Sequence, residues 1–205
     1  MSIGTLYIIA AASGTGKTSL ARALEQTIAG VKVSVSHTTR ALRPQEVPNQ
    51  SYFFVTEEEF TRLIKEQAFL EYAQVFGFFY GTSRAFVEQQ LQQGKDVILD
   101  IDWQGAAQIK KIYPHSISIF LLPPSQEELR RRLKQRKRDS AKTIASRLAL
   151  ASSEIAHCNE FDYIVINDNF EEALKDLQTI FLANRLRKET QLAKYNDLLQ
   201  NLLSH

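Results

Sequence analysis

Residues 6–10 read L-Y-I-I-A and residues 11–18 read A-A-S-G-T-G-K-T. A short apolar run, a turn punctuated by Gly14 and Gly16, and a helical stretch from Lys17 to Ile28 form the strand–loop–helix entry of a phosphate-binding loop. The two glycines let the backbone turn several N–H groups inward on an anion. Lys17 then reaches the outer phosphates, and the Thr18 hydroxyl is a ligand for Mg²⁺. The positive end of the following helix faces the same charge. The full pattern opens with Gly where this chain has Ala11. The candidate triphosphate site comprises Ala11, Ala12, Ser13, Gly14, Thr15, Gly16, Lys17, Thr18 and Ser19. An accidental glycine turn would not sit between a strand and a helix.

Outward from this loop, apolar runs alternate with helical patterns. Strands are expected at Leu6–Ala10, Val33–Val35, Val97–Ile101, Ser118–Leu122 and Tyr163–Ile166. Helices are expected at Lys17–Ile28, Ser83–Gln93, Trp103–Ile112, Gln126–Arg136 and Ile144–Ala156. Short apolar strands separated by helices predict an α/β fold, a parallel sheet covered on both faces. Residues 37–81 break the rhythm with Pro44, Pro48, a short helix near Glu57–Glu66 and an aromatic group from Phe69 to Tyr80. They read as a small inserted mixed subdomain. The expected single domain has a core of 1–36, 82–124 and 158–205, the insert 37–81, and a helical lid 125–157. Phe170 to Leu203 reads as one or two helices packed on the core, and its last residues are a candidate homo-oligomer contact.

The chain has 205 residues, 44% hydrophobic and 23% charged, with net charge +2. That balance is too weak for a nucleic-acid coat or a membrane surface. Cys158 is the one cysteine, which excludes an intrachain disulfide and reads as buried filler in a reducing compartment. The stretch Leu6–Ala12 lacks a basic flank and runs straight into the phosphate loop, so it reads as a strand rather than a signal peptide. No apolar run is long enough to span a bilayer, and a cytoplasmic protein is expected.

Asp100 closes the run Val97-Ile98-Leu99, where parallel sheets place their ligands, and in phosphate-loop enzymes such an acid orients Mg²⁺ through water. Period two turns Asp102 to the same side, although it also suits the N-cap of the next helix. Residues 130–138 form the densest basic run. Most of its arginines read as a solvated helix face, with Arg136 and Arg147 as clamp residues closing over transferring phosphate oxygens.

Several stretches together resemble the guanylate kinase family: S-G-T-G-K-T (13–18), S-H-T-T-R-A-L-R-P (36–44), Y-F-F (52–54), F-L-E-Y-A (69–73), Y-G-T-S (80–83), D-I-D-W-Q-G (100–105) and I-N-D (166–168). The resemblance implies phosphate transfer from ATP to GMP, and to dGMP, with Mg²⁺, in purine nucleotide metabolism. It implies that Arg40, Arg43, Tyr52 and Tyr80 cage the acceptor phosphate. Glu71 would accept the two adjacent donors of guanine, with Ser36, Gly81, Thr82, Asp100 and Asp102 completing the acceptor site and Asn167 touching adenine. Lys17, Arg40, Asp100, Arg136 and Arg147 would carry the transfer. Four departures stand out: Gln45 and Pro48-Asn49 replace glycine turns, Phe78 replaces a polar residue, and Arg136-Lys137-Arg138 replaces an Arg-Gly segment. Asn is the least costly non-glycine residue in the left-handed region. Phe78 is expected to alter the shielding of the phosphate cage. No general base is required, because the attacking phosphate oxygen is already anionic. The rival readings are a monophosphate kinase of other base preference and a guanylate kinase-like interaction module without turnover. Such modules lose the loop lysine and the lid arginines, which this chain keeps.

Overall fold

The computed structural model describes residues 4–43, 46–135 and 141–204. The chain begins β1 (Leu6–Ala11), α1 (Lys17–Thr27), β2 (Val31–Val33), β3 (His37–Thr38), β4 (Phe53–Phe54), α2 (Glu57–Lys65), β5 (Phe69–Val75), β6 (Phe78–Ser83) and α3 (Arg84–Gln92). It continues β7 (Asp96–Asp100), α4 (Trp103–Ile112), β8 (Ile117–Leu122), α5 (Gln126–Gln135), α6 (Ala141–Ala156), a 3₁₀ turn at His157–Glu160, and β9 (Tyr163–Ile166). Three helices end it: α7 (Phe170–Arg185), α8 (Lys188–Lys194) and α9 (Asn196–Leu203).

The main sheet is parallel, in the order β2-β7-β1-β8-β9. Successive β1 side chains point to opposite faces. Tyr7 and Ile9 join Leu20 and Leu24 of α1 and Leu177 and Phe181 of α7. Leu6 and Ile8 join Val87 and Leu91 of α3 and Ile109 of α4. Both faces of β1 are therefore dry, which is why the run shows no polar alternation. The α/β architecture with a helix-covered parallel sheet is as expected.

A second, mixed sheet runs β4-β3-β6-β5. It has its own aromatic cluster, with Phe60 packed on Phe69 and Phe79, and His37 stacked on Phe53. This sheet docks on α4 through Gln108, whose amide donates to the Tyr72 carbonyl (2.9 Å) and accepts from the Tyr72 N–H (3.2 Å).

Three expectations change. The second strand starts two residues early, at Val31, because pairing with β7 begins at Val31↔Asp96 directly after Gly30. The C-terminal stretch is three helices rather than one or two. Its apolar stripe meets the core only as far as Phe181, while Leu186 and Leu203 lie beyond the sheet at 72% and 77% exposure. Cys158 is half-buried rather than core filler, since it sits in the 3₁₀ turn and not on a packed helix face. Among the described residues no helix is long and apolar enough to cross a membrane.

The end of α7 is stapled to the sheet. Arg185 donates to Asp96 (2.9 Å) and to the Ala29 carbonyl (2.8 Å), and Asp96 also accepts from the Thr5 N–H (2.9 Å). Asp96 is nearly buried. Arg185→Ala would leave that carboxylate with one backbone donor, and a loss of about 1–3 kcal/mol is expected. Urea unfolding monitored by circular dichroism checks it; an unchanged midpoint refutes the staple.

Candidate active site

The loop 11–18 leaves β1 at the C-terminal edge of the sheet. Gly14 and Gly16 have φ of 98° and 100°, a region costly for any residue with a Cβ, so the loop's shape depends on them. Thr15 is fully buried and its hydroxyl donates to the Ala12 carbonyl (2.8 Å), closing the turn. Lys17 follows as the first residue of α1. Its Nζ lies 2.8 Å from Asp100 Oδ1 and donates to the Ile101 carbonyl (2.5 Å). Thr18 Oγ1 donates to the other Asp100 oxygen (2.6 Å). The register Ile9↔Asp100 puts the end of β7 beside the end of β1, which makes this contact unavoidable.

Two residues brace the loop from behind. Asn167 is buried and its amide donates to the Thr15 carbonyl (2.5 Å); a Cβ on Gly16 would lie 2.7 Å from that nitrogen. Arg132 of α5 donates to the Asn167 (2.9 Å) and Asp168 (3.2 Å) carbonyls. Asn167 thus holds the loop's main chain and is not among the residues lining the cavity. Arg132 and the more exposed Arg131 both pair with Glu128 (2.6 and 2.7 Å), but the bonds of Arg132 to the Asn167 and Asp168 carbonyls make it a brace rather than solvated face.

The loop forms one wall of a cavity of about 230 Å³. The opposite wall carries Ser36, Arg43, Tyr52, Glu71 and Tyr80, and Asp100 and Asp102 lie between the two. Glu71 stands just after a β-bulge in β5, a device that re-aims side chains. It is 4% exposed and accepts from Thr82 Oγ1 at 2.5 Å. Burial, helped by the Asp102 charge, raises its carboxyl to a pKa of about 7. Asp102 does both things its position allows: it faces the cavity, and it caps α4 by accepting from the Gly105 N–H (2.8 Å).

Tyr52 and Tyr80 meet edge to face, with centroids 5.9 Å apart. Arg40 is set behind them. It is 5% exposed, its guanidinium makes two bonds to Glu46 (2.7 and 2.8 Å), and it lies 5.0 Å from the Tyr52 ring centroid. Of the two arginines expected at the acceptor phosphate, Arg43 lines the cavity and Arg40 backs it. Gly81 and Thr82 are likewise buried behind the wall. Asn49 has φ 64°, the left-handed geometry expected at that turn. Phe78 is 41% exposed and does not line the cavity, so it shields nothing there; its place in β6 sends the ring to solvent.

Gly105 in the first turn of α4 faces Glu71 so closely that a Cβ would sit 2.5 Å from Oε2. Gly105→Ala is therefore expected to push the carboxylate aside and raise KM at least tenfold for the nucleotide that the resemblance places on Glu71, a cost of about 1.4 kcal/mol. The α4 cap should survive, so ATP affinity should hold. Titration of both nucleotides against the variant checks this, and equal affinities to the parent refute it.

Helix α6 forms the third wall with Arg147 and Glu154. The Arg147 guanidinium lies 5.4 Å from the Phe76 ring centroid. Phe76 and Gly77 turn the β5–β6 hairpin with φ of 51° and 82°, the primed geometry of a two-residue loop. Glu154 accepts from the Ser13 N–H (3.2 Å), and burial raises its pKa. One residue past α6, His157 stacks on Trp103 at the start of α4, with centroids 3.6 Å apart and 7° between the planes. Arg136 lies outside the described residues, as do Gln45 and Lys137.

Three neighbours of the site escaped sequence reasoning. Glu154 was legible in principle, seven residues after Arg147 and so on the same helix face. Glu46 and Arg132 also have local partners, Arg43 and Glu128, but their contacts to Arg40 and to the Asn167 carbonyl are set by the fold.

The family model described as guanylate kinase matches residues 3–184. The chain belongs to the guanylate kinase family. Guanylate kinase of Photobacterium profundum is 53% identical over 206 residues, covering 100% of this chain and 99% of that protein. Guanylate kinase of Shewanella violacea is 55% identical over 202 residues, 98% of each. The crystal structure of guanylate kinase from Anaplasma phagocytophilum superposes with a TM-score of 0.78 at 36% identity, covering 91% of this chain and 89% of that one. Family membership thus accounts for both sheets and for the order of the motifs around the cavity.

Proposed function

We propose that this chain transfers the γ-phosphate of ATP to GMP, and to dGMP, giving ADP and GDP. One observation carries the reading: a phosphate loop and a buried carboxylate, Glu71, face each other across a single cavity. The loop 11–19 takes the triphosphate on its N–H groups, with Lys17 as a point charge. Asn167 serves ATP by holding the loop in shape. Arg43, Tyr52 and Tyr80 take the acceptor phosphate, and Arg40 adds charge through the tyrosine wall. Glu71 accepts from guanine N1–H and the 2-amino group, while Ser36, Gly81, Thr82 and Asp102 shape the rest of the base pocket. Adenine offers no such donor pair and would leave the carboxylate unpaired.

Thr18 Oγ1 and an Asp100 oxygen lie side by side, 2.6 Å apart, and oxygen donors of this kind suit a hard cation such as Mg²⁺. When bound, Mg²⁺ would neutralise charge on the phosphates. The chain's own part is positioning: Lys17 and Arg43 draw two anions together, and Arg147 covers them from α6, which acts as a lid that excludes water. ADP formation from ATP and Mg²⁺, measured with GMP, dGMP, AMP, UMP and dTMP in turn, tests the proposal. Turnover confined to the guanine nucleotides is the expected result. Tight GMP binding without ADP formation would instead support an interaction module.

A further inference from the structure

Helix α6 reaches both other walls of the cavity. Arg147 meets Phe76 at the tip of the β5–β6 hairpin, and Glu154, two helical turns later, accepts from the Ser13 N–H of the phosphate loop. The second contact is unusual in kind. A loop whose amides serve an anionic ligand gives one of them to a carboxylate of the same chain, and that carboxylate comes from the helix that also carries a cavity arginine. The bond is neither a helix cap nor a contact local to the Ala12–Thr15 turn. Ser13 and Glu154 are 141 residues apart, and both line the cavity.

We infer that Glu154 is a positioning residue for phosphoryl transfer, its side-chain oxygen latching α6 onto the phosphate loop and so setting where Arg147 stands. The inference rests on the proposed ATP:GMP reaction. The latch works at both ends. It fixes the Ser13 peptide, which orients the amides that follow. It also fixes the height of α6 along the loop, and a shift of Arg147 by an ångström would misplace its charge relative to the transferring oxygens. The essential property is a hydrogen-bond acceptor of the right length. A negative charge is not required and would by itself repel the triphosphate.

Glu154→Ala and Glu154→Gln separate these roles in the full-length chain. In Glu154→Ala, kcat with saturating ATP and GMP should fall roughly tenfold to a hundredfold, with KM for GMP unchanged, because the damage is to alignment. Glu154→Gln keeps an acceptor oxygen and should recover most of the rate. Equal losses in both variants overturn the latch, as does Glu154→Ala turnover within about twofold of the parent. A lowered KM for ATP with undiminished kcat in Glu154→Ala also overturns it, because the carboxylate would then be only a stand-in anion. A rate loss that vanishes when each variant is assayed well below its unfolding midpoint overturns it too, as a purely structural role. Absence of turnover in the parent protein would refute the proposed reaction instead, so the two failures are distinguishable.

Discussion

Lys17→Ala is expected to lower kcat by about 10³-fold, the scale seen when one preorganised charge is removed from a transition state. The Lys17 ammonium is already held by Asp100 and the Ile101 carbonyl, so its position costs no reorganisation when a triphosphate arrives. Removing it leaves Asp100, a negative group, facing the phosphates with only the Thr18 hydroxyl beside it. Lys17→Arg should rescue little, since a planar fork does not fit a niche built for a compact ammonium. Folding should survive both changes, because the core of α1 is Leu20, Ala21 and Leu24. Steady-state rates at saturating ATP and GMP decide the matter; an alanine variant within tenfold of the parent would remove Lys17 from the chemistry.

Glu71→Gln should cost about 10³-fold or more in kcat/KM for GMP while ATP affinity stays within a few-fold. The amide turns one acceptor into a donor, which then faces a guanine donor at a position that is 4% exposed. The carboxyl also predicts a pH dependence. With its pKa at about 7, well above the ordinary 4.5, the empty site holds a proton at pH 6 that guanine binding must expel. Affinity should weaken by about tenfold per unit as pH falls further below 7. The nucleotide's own phosphate takes a proton near pH 6, so the useful quantity is the difference between the parent and the glutamine variant, which keeps only that second titration. Stability runs the opposite way. A raised carboxyl pKa favours the fold at low pH, and this contribution is lost as pH rises from about 4.5 through about 7. Coincident binding profiles for the two proteins would refute the assignment of Glu71 to the base.

The main sheet was legible because β1, β7, β8 and β9 are short apolar runs between helical patterns; the first three are buried on both faces, whereas edge strand β9 buries only Val165 and was legible from its apolar run alone. Strand β2 was misplaced by two residues because Val31, Val33 and Val35 alternate identically, and only pairing with β7 selects the start. The cavity's chemistry was legible where it lies in contiguous motifs, as at Lys17, Thr18, Glu71 and Asp100. It was illegible where two distant segments meet. Nothing local to Glu46 says that it will occupy the Arg40 guanidinium, and nothing local to Arg132 says that it will brace Asn167. The C-terminal leucines misled for a related reason: helical spacing records a stripe and not whether anything lies beneath it.

The stacked pair of Trp103 and His157 has a practical consequence. It holds the chain's one indole, at the joint where α6 returns toward the sheet. The emission of an indole depends on what its ring face touches, so a stacked imidazole and a separated one give different signals. If α6 moves as the expected lid, the rings would part, and stopped-flow emission would follow that motion without a label as nucleotides arrive and leave.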